Sequence, residues 1–184
     1  HKELVDHGVE LHLGDKVREI TRQEVLLDSG KTVRAEAVVL ALGVRPDIRL
    51  AEEAGLELGV TGAIAVSHNC QTSDPDIYAV GDAVETYHGL TRRPARLTLA
   101  GPAQRQARVA ANHICGIPDT GGSVIGSSVL KVFDLNAACT GLNERTCRKE
   151  GIPCGFAYVI PGDRVSLMPG SSPMHFKLLY EEPT

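Results

Sequence analysis

Six consecutive apolar residues, Ala37-Val38-Val39-Leu40-Ala41-Leu42, run without a polar interruption and stop at Gly43. A strand with one wet face alternates apolar and polar side chains, whereas an unbroken apolar run is the pattern of a strand covered on both faces, as in a parallel sheet flanked by helices. Arg45-Pro46 then forces an extended exit, because the residue before a proline avoids the helical region. The chain is therefore expected to be α/β, with one sheet ending near residue 43. The same run, continued to Val44, falls far short of the roughly 20 residues that a membrane-spanning helix needs. No charged-then-apolar leader opens the sequence, so neither a membrane location nor export is expected.

With 184 residues, 42% of them hydrophobic and 23% charged, the chain has room for one domain or two small ones and lacks the composition of a disordered or collagen-like sequence. Its formal charge of −4 offers no basic field to a nucleic-acid backbone or an anionic lipid surface. Five cysteines, Cys70, Cys115, Cys139, Cys147 and Cys154, form neither a C-x-x-C pair nor a two-plus-two zinc spacing, and an odd number cannot all pair internally. They read as packing thiols in a reducing cytoplasm. The histidines make no H-E-x-x-H pattern, and there is no P-loop, EF-hand loop or internal repeat, so no metal site is expected.

Short alternating segments fill the first 43 residues. Val9, Leu11 and Leu13 suit one strand, Val17 to Ile20 another, and Glu24 to Leu27 leads through Asp28-Ser29-Gly30 into Lys31 to Val33 as hairpins. Arg49 to Leu56 predicts one or two helical turns closed by Gly55, Ala63 to Val66 a short strand, and Ile77 to Val80 a buried one ending at Gly81-Asp82. Leu97 to Cys115 is the strongest helix signal. Pro102 fits its first turn, Ala103, Ala107, Ala110, Ala111 and Ile114 recur on one face, and Gly116 and Pro118 stop it. Asp119 to Ser123 reads as a linker, followed by strands at Val129 to Phe133 and Ala137 to Thr140, a helix opened by Asn143 and ended by Gly151-Ile152-Pro153, and strands at Gly155 to Ile160 and Phe176 to Tyr180.

The stretch from Thr72 to Ala83 carries the chemistry. A buried strand would bring the backbone to the carboxyl end of a sheet, where open α/β folds place ligands. Gly81 would let a ligand approach the backbone, and Asp82 offers acceptor-only oxygens to hydroxyl donors such as a sugar alcohol. Taken alone, Gly-Asp equally describes an ordinary turn after a strand. The full pattern T-x-x-P-x-I-Y-A-x-G-D, from Thr72 to Asp82, resembles the second flavin fingerprint of the pyridine nucleotide-disulfide oxidoreductases, flavoproteins related to glutathione reductase. In that family the aspartate holds the ribityl chain of FAD. Ala41-Leu42-Gly43-Val44-Arg45-Pro46-Asp47 is similar to the segment that returns the chain from the NAD(P)H domain to the FAD domain.

Leu99-Ala100-Gly101-Pro102-Ala103-Gln104-Arg105-Gln106-Ala107-Arg108 resembles the helix start of the coenzyme A disulfide reductase, NADH oxidase and NADH peroxidase branch. The free N–H groups and positive end of such a helix would stabilise electron density on a reduced flavin. Lys131 to Leu135 and Thr140 to Glu144 resemble the opening of that branch's interface domain, which joins two subunits. The resemblance implies the C-terminal parts of two Rossmann-like nucleotide-binding domains followed by part of an α+β interface domain. Residues 1–43 would be the tail of the NAD(P)H-binding domain, 44–118 the second part of the FAD-binding domain, and 119–184 an incomplete interface (dimerisation) domain. It assigns Thr72, Gly81, Asp82, Leu99, Ala100 and Ala103 to FAD, Gly43 to NADH or NADPH, and Gln104 to the substrate entrance.

The implied parent is an FAD-dependent, NAD(P)H-driven homodimer that reduces a disulfide, persulfide, peroxide or oxygen. No G-x-G-x-x-G occurs in the sequence, and the family's redox cysteine belongs near the first flavin helix, upstream of these residues, so no catalytic residue is expected here. Leu167-Met168-Pro169-Gly170 stands where coenzyme A disulfide reductases carry paired tyrosines. The competing expectation is that the isolated chain is a non-catalytic folded or dimerising module. A ferredoxin-reductase-like or apoptosis-inducing-factor-like flavoprotein shares the fingerprint but not the segments after residue 130.

Overall fold

The computed structural model describes residues 1–119 and 121–181. The chain divides into two compact units, one formed by His1–Arg45 with Val129–Ala138, the other by Pro46–Ser128 with the residues from Cys139 onward.

In the first unit a short helix α1 (Lys2–Asp6) precedes an antiparallel sheet β1 (Val17–Ile20), β2 (Glu24–Leu27) and β3 (Thr32–Arg34), in that order. Its period of two is real where packing enforces it: Val25 and Leu27 on β2 are buried, while Glu24 is exposed. Gly30 sits at φ +87° in the turn between β2 and β3, where an L side chain would be strained. Asp15 fixes that turn, accepting from the Ser29 N–H at 3.1 Å and the Ser29 hydroxyl at 2.6 Å. The Ser29 hydroxyl bond holds the Asp15 carboxyl below its ordinary range. At the other end of the sequence of this unit, the His7 ring stacks on Phe133 with centroids 4.0 Å apart, and the Asp134 N–H donates to Glu3 at 3.2 Å.

Two expectations fail here. Val9 to Leu13 forms no strand, and Ala37 to Leu42 is neither a strand nor buried: Val39 is 89% and Leu42 87% exposed. A strand exists only through its ladder, and among the described residues no neighbouring strand offers one to this run, since the sheet closes at β3.

The second unit opens with α2 (Arg49–Glu53), which buries Ala51 and turns back at Gly55, φ +71°. Ala51, Ile64 and Val84 form its core, with Ile48, Leu56, Leu58, Val66, Ala79 and Ala83 packed around them. Ile64 is bridged to Leu58 on one side and to Val84 on the other. The expected strands at Ala63 to Val66 and Ile77 to Val80 are thus single bridges rather than ladders. A 3₁₀ turn (Gly81–Ala83) leads to a two-stranded ribbon, β4 (Thr86–Tyr87) and β5 (Pro94–Ala95), and then to α3 (Ala100–Ile114).

Helix α3 ends as expected at Gly116, φ +71°, with the Ile117 N–H returning to the Asn112 carbonyl at 2.8 Å. Its packed stripe differs from the alanine face. Ala107, Ala111 and Ile114 are exposed, and the half-buried and buried positions are Pro102, Ala103, Gln106, Val109, Ala110, Asn112 and His113. Polar tips decide this, because Gln106 and His113 find hydrogen-bond partners on that side; the Tyr78 hydroxyl meets His113 Nδ1 at 2.6 Å. Val109 and Ala110 pack with Cys70 and Tyr78. The linker expected at Asp119 to Ser123 includes Thr120, which lies outside the described residues.

Strands β6 (Ser127–Val132) and β7 (Leu135–Thr140) form a ribbon, followed by α4 (Glu144–Glu150) and a second ribbon of β8 (Cys154–Val159) with β9 (Phe176–Glu181). Asn143 caps α4, its Oδ1 accepting from the Thr146 N–H at 2.9 Å, and Gly151 at φ 68° closes it. Lys177 on β9 donates to Glu144 at 2.6 Å, a bond that holds the Glu144 carboxyl below its ordinary range. Replacing Asn143 by Ala leaves the first-turn donors of α4 without their acceptor and is expected to cost about 1 kcal/mol. A lower urea midpoint with an unchanged slope checks this.

Candidate functional site

The fingerprint begins with a tight turn. The Thr72 N–H donates to the Ile77 carbonyl at 2.9 Å, its hydroxyl donates to the Asp74 carbonyl at 3.1 Å, and the same hydroxyl accepts from the Asp74 N–H at 3.2 Å. Asp74 Oδ1 in turn accepts from the Asp76 N–H at 2.9 Å. Pro75 makes no donor demand inside this knot. The threonine and the Asp-Pro-Asp sequence are therefore explained by turn chemistry, which delivers Ile77 to Ala79 alongside Cys70 and Gln71. A bridge joins Gln71 to Tyr78, and the Ala79 N–H donates to the Cys70 carbonyl at 3.0 Å.

After extended Val80 the backbone swings to φ +85° at Gly81 and enters the 3₁₀ turn. A methyl group at Gly81 would meet Ala103 Cβ at 3.9 Å, an ordinary contact. The backbone dihedral, more than crowding, is what calls for glycine here. The Gly81 N–H donates to Gln106 Oε1 at 2.8 Å. Asp82 is exposed, and its carboxylate has no hydrogen-bond or ion-pair partner among the described residues.

The turn thus rests on the first two turns of α3, whose N-cap is Leu99 in extended conformation. Five residues, Leu99 to Ala103, are candidates for backbone donors facing a flavin, but the hydrogen bonds narrow them. The Leu99 N–H is used by the Leu97 carbonyl at 2.9 Å, the Ala103 N–H by the Leu99 carbonyl at 3.2 Å, and Pro102 has none. Ala100 and Gly101 are left as the donors without an intrahelical acceptor. Their N–H groups and the positive end of a 15-residue helix lie on the same helix that seats the Gly81-Asp82 turn. A carboxylate without a partner can accept from hydroxyls, and two N–H groups without intrahelical acceptors, on the helix that seats its turn, can donate to an anion or electron-rich edge.

Gln104 is exposed on α3 one residue beyond Ala103. Gly43 belongs to the other unit, exposed at φ +92° with no atom near its open face. A cavity of about 160 Å³ beside the turn is lined by Cys70, Glu85, Pro102, Arg105 and Gln106 among others. That is smaller than the roughly 300 Å³ at which small-molecule pockets begin. No group of three or more metal-ligating side chains occurs among the described residues. Gln106 is the residue that sequence reasoning passed over. Its signal was available: three positions after Ala103 it shares that residue's face, where a polar side chain needs a partner.

The sequence matches the family described as pyridine nucleotide-disulphide oxidoreductase over residues 1–107, more than half of the chain. The chain belongs to that family. Over 99% of its length it is 31% identical to the CoA-dependent NAD(P)H sulfur oxidoreductase of Pyrococcus abyssi, and it spans 42% of that relative. The structure of reduced Bacillus anthracis CoADR-RHD superposes with a TM-score of 0.94 at 39% identity, covering 98% of this chain and 33% of that one. An FAD-dependent family member from Desulfovibrio vulgaris gives a TM-score of 0.78 at 34% identity, over 86% of this chain and 41% of its own. Relatives named coenzyme A disulfide reductase and NADH oxidase agree with the branch indicated by Leu99 to Arg108, Lys131 to Leu135 and Thr140 to Glu144. The chain spans about two-fifths of the curated relative's length.

The five cysteines are free thiols. Burial pushes the Cys70 thiol above its ordinary value of 9.0, and burial and then the neighbouring Cys154 thiol do the same to Cys147. Thiolate is the reactive form, so a raised value leaves little of it at neutral pH. Exposed Cys115 and Cys139 are expected to react with a maleimide first at pH 7, and buried Cys70, whose thiol is pushed up, to react later and to gain rate as the pH is raised. Time-resolved mass spectrometry of labelled peptides reads the order.

Proposed function

We propose that these residues form part of an FAD-dependent, NAD(P)H-driven oxidoreductase that reduces a disulfide, persulfide, peroxide or oxygen. FAD, when bound, supplies hydride acceptance from the nicotinamide and electron delivery to the acceptor. The protein's part is to hold and orient it. Asp82 accepts hydrogen bonds from the ribityl hydroxyls, Gly81 supplies the backbone bend that presents Asp82, and Thr72 shapes the turn before it. Leu99, Ala100 and Ala103 form the helix start against the flavin, with the Ala100 and Gly101 N–H groups aimed at its electron-rich edge. Gly43 lies along NADH or NADPH, and Gln104 at the approach of the small-molecule acceptor.

The observation that carries this reading is the unpartnered Asp82 carboxylate on a turn bonded to α3 at Gln106, five and six residues beyond its two free N–H donors at Gly101 and Ala100. Family membership supports it. The cysteine that exchanges electrons with the flavin lies, in this proposal, outside the 184 residues, as do both glycine-rich pyrophosphate loops. Residues 1–43 are then the tail of an NAD(P)H-binding domain, 44–118 the second part of an FAD-binding domain, and 119–184 an incomplete interface domain through which two subunits pair. Exposed Val129, Leu130, Phe156, Tyr158, Phe176 and Leu178 support that last assignment, since apolar strand faces of this extent favour a covering partner. Five free thiols support a reducing, cytoplasmic setting. No helix among the described residues is long and apolar enough to cross a membrane.

In the intact flavoprotein, Asp82→Ala removes hydrogen bonds to a charged acceptor, worth about 1.5–3 kcal/mol, or roughly 10–100-fold in affinity. Desalting followed by flavin absorbance should show correspondingly less retained FAD, and undiminished flavin removes the assignment. The isolated 184-residue chain is expected to stay colourless after incubation with FAD and to oxidise no NADH, because nothing in it grips the pyrophosphate. Yellow bands surviving gel filtration would show that the second half of the site suffices alone.

A further inference from the structure

We propose that Gln106 is the positioning residue of this site: its side-chain amide fixes the Gly81-Asp82 turn against the start of α3, and flavin affinity and reduction potential depend on it. The proposal rests on the flavin reading above and adds a residue to which that reading gives no role.

The Gly81 N–H points away from any ladder. Its residue stands at φ +85°, three residues after the bridge at Tyr78, and its carbonyl accepts from the Val84 N–H within the turn. The N–H itself has one acceptor, Gln106 Oε1 at 2.8 Å, 25 residues along the chain. A half-buried amide left without that acceptor would cost the desolvation of a polar group. One turn earlier on the same face of α3, Ala103 Cβ lies 3.9 Å from where a Gly81 side chain would begin. Two contacts on successive turns of one helix define both the height and the rotation of the 3₁₀ turn. Asp82 is the next residue and has no side-chain tether of its own among the described residues. Its distance to the Ala100 and Gly101 donors is therefore set through its neighbour's bond to Gln106.

The chemistry of the amide matters as well as its reach. A glutamate at this position would still accept from the Gly81 N–H, but it would place a negative charge about one and a half helical turns from the Ala100 and Gly101 donors proposed to face an electron-rich cofactor. A neutral acceptor holds the turn without opposing flavin reduction. Leucine is apolar, branches one carbon nearer the backbone than the amide, and accepts nothing. The two variants separate position from charge, which a residue that merely packs the helix would not do.

Wild type, Gln106→Glu and Gln106→Leu are compared in two measurements. In the 184-residue chain, hydrogen exchange at the Gly81 amide reads the bond directly. In the intact flavoprotein, FAD affinity and flavin midpoint potential read its consequence. Gln106→Leu should speed Gly81 exchange and weaken FAD, each by about tenfold or more, as expected for loss of one hydrogen bond to a buried group. Gln106→Glu should keep Gly81 protected and FAD bound while moving the flavin potential to a more negative value. Wild-type FAD affinity in the leucine variant overturns the proposal, as does a glutamate variant whose potential is unchanged. The second result decides the matter even if the leucine variant does not fold. If the wild-type protein holds no FAD, the flavin reading falls and the positioning role with it, whereas normal wild-type flavin with unresponsive variants removes Gln106 alone.

Discussion

The second unit depends on one backbone bend, the positive φ at Gly81, and on the helix face that receives it. Glycine adopts φ +85° without the strain an L side chain would meet, and Gln106, accepting the Gly81 N–H, and Ala103, behind the turn, hold the bend against α3. Val84, at the exit of that bend, then enters the core beside Ile64 and Ala51. Position of the acid and integrity of the core are thereby linked through three consecutive residues. This is why the turn carries a glycine, a carboxylate free of internal partners and small apolar neighbours in one short segment.

Energetically the chain is lightly sealed. Among the described residues ten hydrophobic residues are buried, none of them a large side chain with under 2% exposure, and no polar or charged residue is buried. Against this stand Val39, Leu42, Val60 and Leu167, each exposed by more than 80%. Burial at about 25 cal/mol per Å² makes such surface the largest unused source of stability in the molecule. The relative from Pyrococcus abyssi is more than twice as long.

Local signals in the sequence were legible wherever a turn or cap dictated them. Glycine at 30, 55, 116 and 151 adopts positive φ and ends the expected elements, Asn143 caps α4, and the hairpin of β2 and β3 follows Asp28-Ser29-Gly30. Signals that depend on distant partners misled. Ala37 to Leu42 has the composition of a central strand but no ladder, and Ile77 to Val80 settles for a bridge. Helix α1 was invisible because it buries nothing and so leaves no apolar period to detect. On α3 the expected alanine face is only half right: Ala103 and Ala110 are packed, Ala107 and Ala111 are exposed, and the packed stripe also takes in Gln106 and His113, whose polar tips find hydrogen-bond partners there. Of the fingerprint, the order of residues pointed to the family, while the identity of the free donors, Ala100 and Gly101, required the hydrogen bonds.

The central claim is that Asp82, on a bend seated against α3, grips the sugar-alcohol tail of FAD. A crystal structure of the flavin-loaded intact protein tests it most directly. The account predicts an Asp82 carboxylate oxygen within about 3 Å of a ribityl hydroxyl, the ordinary O–H···O distance, with the Ala100 or Gly101 N–H directed at the pyrimidine edge of the ring system. Electron density placing the flavin elsewhere, with Asp82 facing water, would contradict it.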